Sequence, residues 1–262
     1  MGLRYRGYWR INIVFLCGLP RSGSTWLGAI LNQNPDCYVT VQSPFVELLW
    51  RNFSLWEDPN WKQDFIGDDA ESKKIAYLKG ITELYYRQLT DSNFVIDNKR
   101  QWQSIGNIRM YVDIFGELPK IICPVRNVEE IVASFSNLFK ENSREFRPET
   151  NLEGNVFSDA YYQLKDTYDS IYRDCLHIVD YDDLVGNTDL EVEKIYEFLN
   201  VQPYKSDYES IEGNPLYIDI DWSYDLVGMH NIKSGIHKSG TNPEEVLSRE
   251  QLNNFKELTF WK

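Results

Sequence analysis

Gly18, Arg21, Ser22, Gly23, Ser24 and Thr25 crowd into one short stretch, GLPRSGST, between the apolar run INIVFLC and the segment WLGAILNQN. Glycines at this spacing, turning from a strand into a helix, present successive backbone N–H groups to one point. That arrangement is a cradle for phosphate or another tetrahedral oxyanion. The three hydroxyl residues add donors and Arg21 adds a fixed cation. The spacing matches the nucleotide-binding pattern G-x-x-x-x-G-K-[ST], with Thr25 in its last position. Ser24, however, stands where the lysine that reaches the β- and γ-phosphates would be. The loop is therefore read as an anion cradle whose cation has moved back three positions.

Three further segments carry residues whose types could do chemistry. In CPVRNVEEIVAS, Arg126 follows a strand, and Ser134 lies two helical turns on, so that positions 126, 130 and 134 share a face and suit a second phosphate. In VIDNKRQW, Asp97, Lys99 and Arg100 stand at a strand end, where carboxylate and cation can act on a reacting group. In Gly235-Ile-His-Lys-Ser-Gly240, the glycines, Lys238 and Ser239 suit a loop that folds over an anion. No G-x-S-x-G elbow marks a serine hydrolase. The three histidines, His177, His230 and His237, are too scattered for a zinc site.

The elements that must position these residues follow from apolar periodicity. Strands are expected over 11–17, 93–97, 120–125 and 177–181. Helices are expected over 24–34, 44–52, 70–89, 103–115, 128–140, 157–174, 190–199 and 249–260. Residues 141–155 and most of the last sixty lack a clear period. Strands alternating with helices call for an α/β fold: a parallel sheet of four to five strands in a three-layer, P-loop-like arrangement, covered by helices on both faces. Ligands in such sheets bind beyond the carboxyl ends of the strands. That rule singles out four places, Gly18, Asp97, Arg126 and Tyr181 onward, each with polar residues directly after an apolar strand.

The chain has 262 residues, 42% of them hydrophobic and 15% aromatic, which suits a single globular domain over residues 1–262. Its 40 acidic and 27 basic residues give a net charge of -13, which argues against nucleic acid or an anionic membrane as partner. An anionic ligand must be held by local donors working against that field. The apolar run Ile13–Cys17 is too short to span a bilayer and lacks the form of a signal sequence. Cys17, Cys37, Cys123 and Cys175 show no metal spacing and read as reduced core thiols, as expected of a soluble cytoplasmic protein.

PRSGSTW after a strand, PVRN with a later serine, and VDYDDLV before a helix resemble the sulfotransferase family, and more closely a group of bacterial sulfotransferase-like proteins. SPF, IDNKRQW, GMHNIKSGIHK and the terminal LTFWK extend the resemblance over nearly the whole chain. It implies 3′-phosphoadenosine 5′-phosphosulfate (PAPS) as donor, no metal, and a hydroxyl or amine acceptor of small-molecule, carbohydrate or peptide nature. Arg21, Ser22, Gly23, Ser24 and Thr25, with Trp26 beside them, would hold the 5′-phosphosulfate. Arg126 and Ser134 would hold the 3′-phosphate, Tyr181 would lie near the nucleotide, and Lys238, Ser239 and Gly240 would close over the 3′-phosphate end. A sulfuryl group carries less charge than a phosphoryl group, so its transfer can proceed on donors and cations alone.

The proton acceptor is where the chain departs from its relatives. Some members use a histidine after the second strand, and none stands near Asp97; tyrosylprotein sulfotransferases use a glutamate where this chain has Gln42. Asp97 and Glu47 are the two candidates, Asp97 favoured for its place at the strand end, with Lys99 or Arg100 stabilising the leaving oxygen. Trp50, Trp56 and Trp61 offer ring faces to an acceptor or simply pack the core. Two other readings stand beside this one: a P-loop kinase or NTPase needing Mg²⁺ and ATP, and a non-catalytic nucleotide-binding protein on the same frame.

Overall fold

The structure, a computed structural model, describes residues 11–62, 69–147, 156–211, 220–221, 226–228, 235–238 and 242–262. Five short parallel strands form the central sheet: β1 (Asn12–Leu16), β2 (Cys37–Val39), β3 (Phe94–Asn98), β4 (Ile121–Val125) and β5 (Leu176–Asp180). Their order is β2-β3-β1-β4-β5, with Phe15 of β1 in register with Asp97 on one side and Ile121 on the other. β1 is apolar at both alternations. Ile13 and Phe15 enter one core cluster, and Val14 and Leu16 enter another on the opposite face. Strands buried on both faces read as continuous apolar runs, which is why INIVFLC shows no alternation.

Helix α1 (Ser24–Leu31) follows β1 and packs Leu27, Ile30 and Leu31 against Val14 and Leu16. Helices α2 (Phe45–Glu57), α3 (Pro59–Lys62) and α4 (Ala70–Arg87) lie between β2 and β3. α5 (Ile105–Phe115) follows β3 through a 3-10 turn over Arg100–Gln103, and α6 (Val128–Glu141) follows β4. α2, α4, α5 and α6 all contribute to the Ile13 and Phe15 face, as does α7 (Val156–Tyr168). The chain thus leaves the adjacent strands β1 and β4 toward opposite faces. That divergence opens the crevice in which open parallel sheets bind ligands.

After β5, α8 (Tyr181–Gly186) and α9 (Thr188–Leu199) return to the α1 face. A two-stranded antiparallel ribbon, β6 (Ile220–Asp221) with β7 (Leu226–Val227), precedes α10 (Pro243–Val246) and α11 (Arg249–Lys256). Both last helices pack on α6. Among the described residues no helix is long and apolar enough to cross a membrane.

The expected strands and most helices are present, with shifted ends. α2 runs five residues past Asn52 to Glu57, whereas α7 stops at Tyr168 and not at 174, because the turn at Ser170–Arg173 diverts the chain into β5. Tyr181 opens a helix and is not the last strand residue, since the Asp180 carboxylate accepts from Asp182 N at 2.9 Å and caps the new helix. β2 carried no sequence signal: three residues are too few to show a period. All four cysteines are free and buried.

Candidate functional site

The GLPRSGST loop closes on itself and on β4. Gly18, Arg21 and Gly23 all adopt the left-handed region, with φ of 84°, 60° and 86°. Gly18 has no alternative residue, because a Cβ there would lie 2.1 Å from the Pro124 carbonyl oxygen. The same carbonyl accepts from Leu19 N at 2.9 Å, and Ile122 O accepts from Cys17 N at 2.8 Å, so the loop base is stitched to β4. Gly18 N donates to Gln103 Oε1 at 2.8 Å, and Gln103 in turn donates to Ala160 O at 2.8 Å. Gln103 therefore ties the loop to α7. It is a residue that the sequence did not single out, since its targets lie far along the chain.

Ser22 is fully buried and its hydroxyl donates to Leu19 O at 2.5 Å. This corrects the expectation that it serves as an outward donor: its hydroxyl hydrogen closes the turn. Ser24 and Thr25 begin α1 half-buried, and Gly23 caps that helix without a side chain. Trp26 is half-buried and packs on the cluster behind α1.

Arg21 Nε donates to Ser134 Oγ at 3.1 Å, and Arg126 Nη1 donates to Arg21 O at 3.4 Å. The Arg126 guanidinium lies over the Tyr181 ring at 4.3 Å from its centroid, and its Nε donates to Glu130 at 2.8 Å. The Tyr181 ring also lies 3.2 Å from where a Cβ on Gly23 would be, so it closes the loop from the β5 side. Burial lowers the pKa of the Arg21 guanidinium, and the like charge of Arg126 lowers it further. An anion placed between the two arginines would relieve both effects. Arg100 adds a third positive charge felt at Arg21.

Lys238 reaches the same corner from the GIHK segment. Its ammonium pairs with Asp182 at 2.7 Å and lies 3.8 Å from Glu130, and Asp182 raises its pKa. Gly235 anchors that segment by donating to Tyr208 O at 2.7 Å. Ser239 and Gly240 lie outside the described residues.

On the β3 side, Lys99 Nζ pairs with Glu47 at 3.1 Å. Asp97 does not face the crevice as expected. Strand alternation turns it into the α4 side of the core, where it is fully buried and accepts from Tyr86 OH at 2.6 Å and Trp102 Nε1 at 3.2 Å. Burial raises its pKa, and hydrogen bonds led by one from Ser43 offset part of that rise. Gln42 is exposed beside this turn. Trp50 is 44% exposed on α2, and Trp56 packs 5.8 Å from Tyr77; the Trp61 side chain lies outside the described residues.

A model of the sulfotransferase family matches residues 13–206, about three quarters of the chain. The sulfotransferase domain of the Synechococcus PCC 7002 olefin synthase aligns with a TM-score of 0.55 at 19% identity, over 83% of this chain and 83% of its own. Mouse sulfotransferase SULT7A1, in a structure complexed with PAP, aligns with a TM-score of 0.54 at 15% identity, over 95% of this chain and 83% of its own. No curated protein sequence matches the chain. Because the family model covers both the phosphate-cradle loop and the Arg126 segment, and the folds of these domains agree with the five-stranded parallel sheet, the chain belongs to the sulfotransferase family.

Proposed function

We propose that this protein transfers a sulfuryl group from PAPS to a hydroxyl or amine of an acceptor. The observation that carries the reading is the Arg21–Ser134 hydrogen bond, which joins the anion cradle and the Arg126 helix into one site. In this reading the loop amides from Arg21 to Thr25, with the Arg21 guanidinium, bind the 5′-phosphosulfate. Arg126 and Ser134 bind the 3′-phosphate. Tyr181 supports the nucleotide side, and Lys238 with Ser239 and Gly240 covers the 3′-phosphate.

Glu47 is the proton acceptor in this proposal, since it is half-exposed at the crevice edge while Asp97 is sealed. The acceptor oxygen or nitrogen attacks sulfur, and the bond between sulfur and the bridging oxygen of the 5′-phosphate breaks. The proton passes to Glu47, and PAP leaves. Lys99, Arg100 and the loop donors stabilise the negative charge that develops on the leaving phosphate.

The test is a thermal shift with PAP. The wild-type protein is expected to gain stability with added PAP, and Arg126→Ala to lose about tenfold or more in affinity, as when a charged hydrogen-bonding partner is removed. No shift in the wild type overturns the proposal, and a larger shift with ATP and Mg²⁺ than with PAP replaces it with the kinase or NTPase reading.

A further inference from the structure

The family match ends at residue 206, yet the chain returns to the site after it. α10 and α11 pack along α6, the helix that starts beside Arg126 and carries Glu130 and Ser134. Leu247 is buried there, and Leu252, Phe255 and Leu258 pack on the same core. Phe260 then sets its ring edge-on to Tyr161 and Tyr168, each at 5.3 Å between centroids. This anchors the last residues of the segment LTFWK over the carboxyl ends of β4 and β5.

Lys262 ends that segment between two strand-end loops. Its ammonium donates to Asn127 Oδ1 at 2.7 Å and lies 3.6 Å from Asp180 Oδ2. Asn127 is the residue after Arg126, and Asp180 is the residue before Tyr181. Arg126 and Tyr181 are the pair stacked at 4.3 Å. One cation therefore bridges the residues that adjoin both members of that stack. Asp182, two residues beyond Asp180, holds Lys238. The post-206 segment thus reaches this corner twice, through Lys238 and through Lys262.

We propose that Lys262 is a positioning residue of the donor site: by bridging Asn127 and Asp180 it fixes the spacing of the Arg126–Tyr181 stack and so the site for the 3′-phosphate. The inference rests on the assignment of Arg126 to that phosphate. Lys262 is half-exposed, so the bridge acts as a screened surface pair whose loss changes affinity by a small factor.

The experiment measures calorimetric binding of PAP and of adenosine 5′-phosphate, which lacks the 3′-phosphate, to the full chain. Lys262→Met is expected to bind PAP about threefold to fivefold more weakly and adenosine 5′-phosphate unchanged. Lys262→Arg, which can make both contacts, is expected to stay within about twofold of wild type for PAP. Asp180→Asn keeps a good helix cap while removing the charge, and is expected to show the same selective loss as Lys262→Met. Equal weakening for both ligands would mean a general structural role, and unchanged PAP binding would mean no role; either overturns the inference. A wild type that binds both ligands equally removes the 3′-phosphate assignment and this inference with it, whereas a wild-type PAP selectivity that is undiminished in Lys262→Met removes the inference alone.

Discussion

Asp97 loses all contact with solvent and takes hydrogen bonds from Tyr86 and Trp102, whereas Glu47 keeps 46% of its side chain exposed beside Lys99. Two carboxylates near one strand end thus meet opposite surroundings. For Glu47 the proposal predicts that Glu47→Gln lowers transfer from labelled PAPS to a panel of acceptors by about a hundredfold or more, with PAP affinity retained. Equal turnover in the variant would move the proton acceptor elsewhere. For Asp97 the prediction concerns stability. Its native pKa lies above the unfolded value, so between the two values the native state binds more protons than the unfolded chain. Stability from this group is therefore fully present below the unfolded pKa and falls as pH rises through the native one. Asparagine can accept from Trp102 and donate to Tyr86, so Asp97→Asn preserves the contacts and removes the titration. Urea midpoints measured between about pH 4 and pH 7 should decline more steeply for the wild type than for the variant. Parallel curves would show that Asp97 does not titrate in that window. Sequence placed Asp97 at a strand end correctly, but which way a side chain points depends on a one-residue phase that an apolar run buried on both faces does not reveal.

The turn between β1 and α1 shows how a loop is built from glycines and then tied in place by distant residues. Gly18 and Gly23 take the left-handed region freely, Arg21 does so at a cost, and β4 and Gln103 fix the loop that holds it there. Gly18→Ala would place a methyl group into the Pro124 carbonyl and should cost more than about 3 kcal/mol, read as a loss of urea midpoint or of soluble protein. Gln103→Leu should cost about 1–3 kcal/mol for each buried group it strands, namely Gly18 N–H and Ala160 C=O. A Gln103→Leu midpoint within experimental error of wild type would show that the loop needs no such tie. The loop itself was legible from glycine spacing, because the left-handed region restricts residue choice locally. Gln103 was not, because its two partners stand 85 and 57 residues away and its own neighbours look like an ordinary polar turn.

Across the whole molecule, an acidic chain concentrates cations at one crevice. Arg21, Arg126 and Lys238 meet there within a protein of net charge -13, with Glu130 beside Arg126 and Asp182 beside Lys238. Element order revealed that crevice, since βα alternation fixes where parallel strands end. The helix expected over 249–260 was legible too, but not the surface on which the chain beyond residue 206 packs, because short irregular segments carry no period until they have one. The structure supplies that surface: α6 is apolar on the side met by Leu247, Leu252, Phe255 and Leu258, and Phe260 with Trp261 extends the contact. Burying a leucine or phenylalanine side chain stabilises by about 1.5–3 kcal/mol when complete. Even at half that, six such residues contribute on the order of 5 kcal/mol or more, comparable with the entire stability of an ordinary domain. A fragment ending at Ser206, which contains all of the family match, is therefore expected to lack a cooperative thermal transition and to bind a hydrophobic dye through the bared α6 face. A sharp transition in that fragment, near the wild-type temperature and without dye binding, would show that the family region folds alone and that the C-terminal segment is an addition to a finished core.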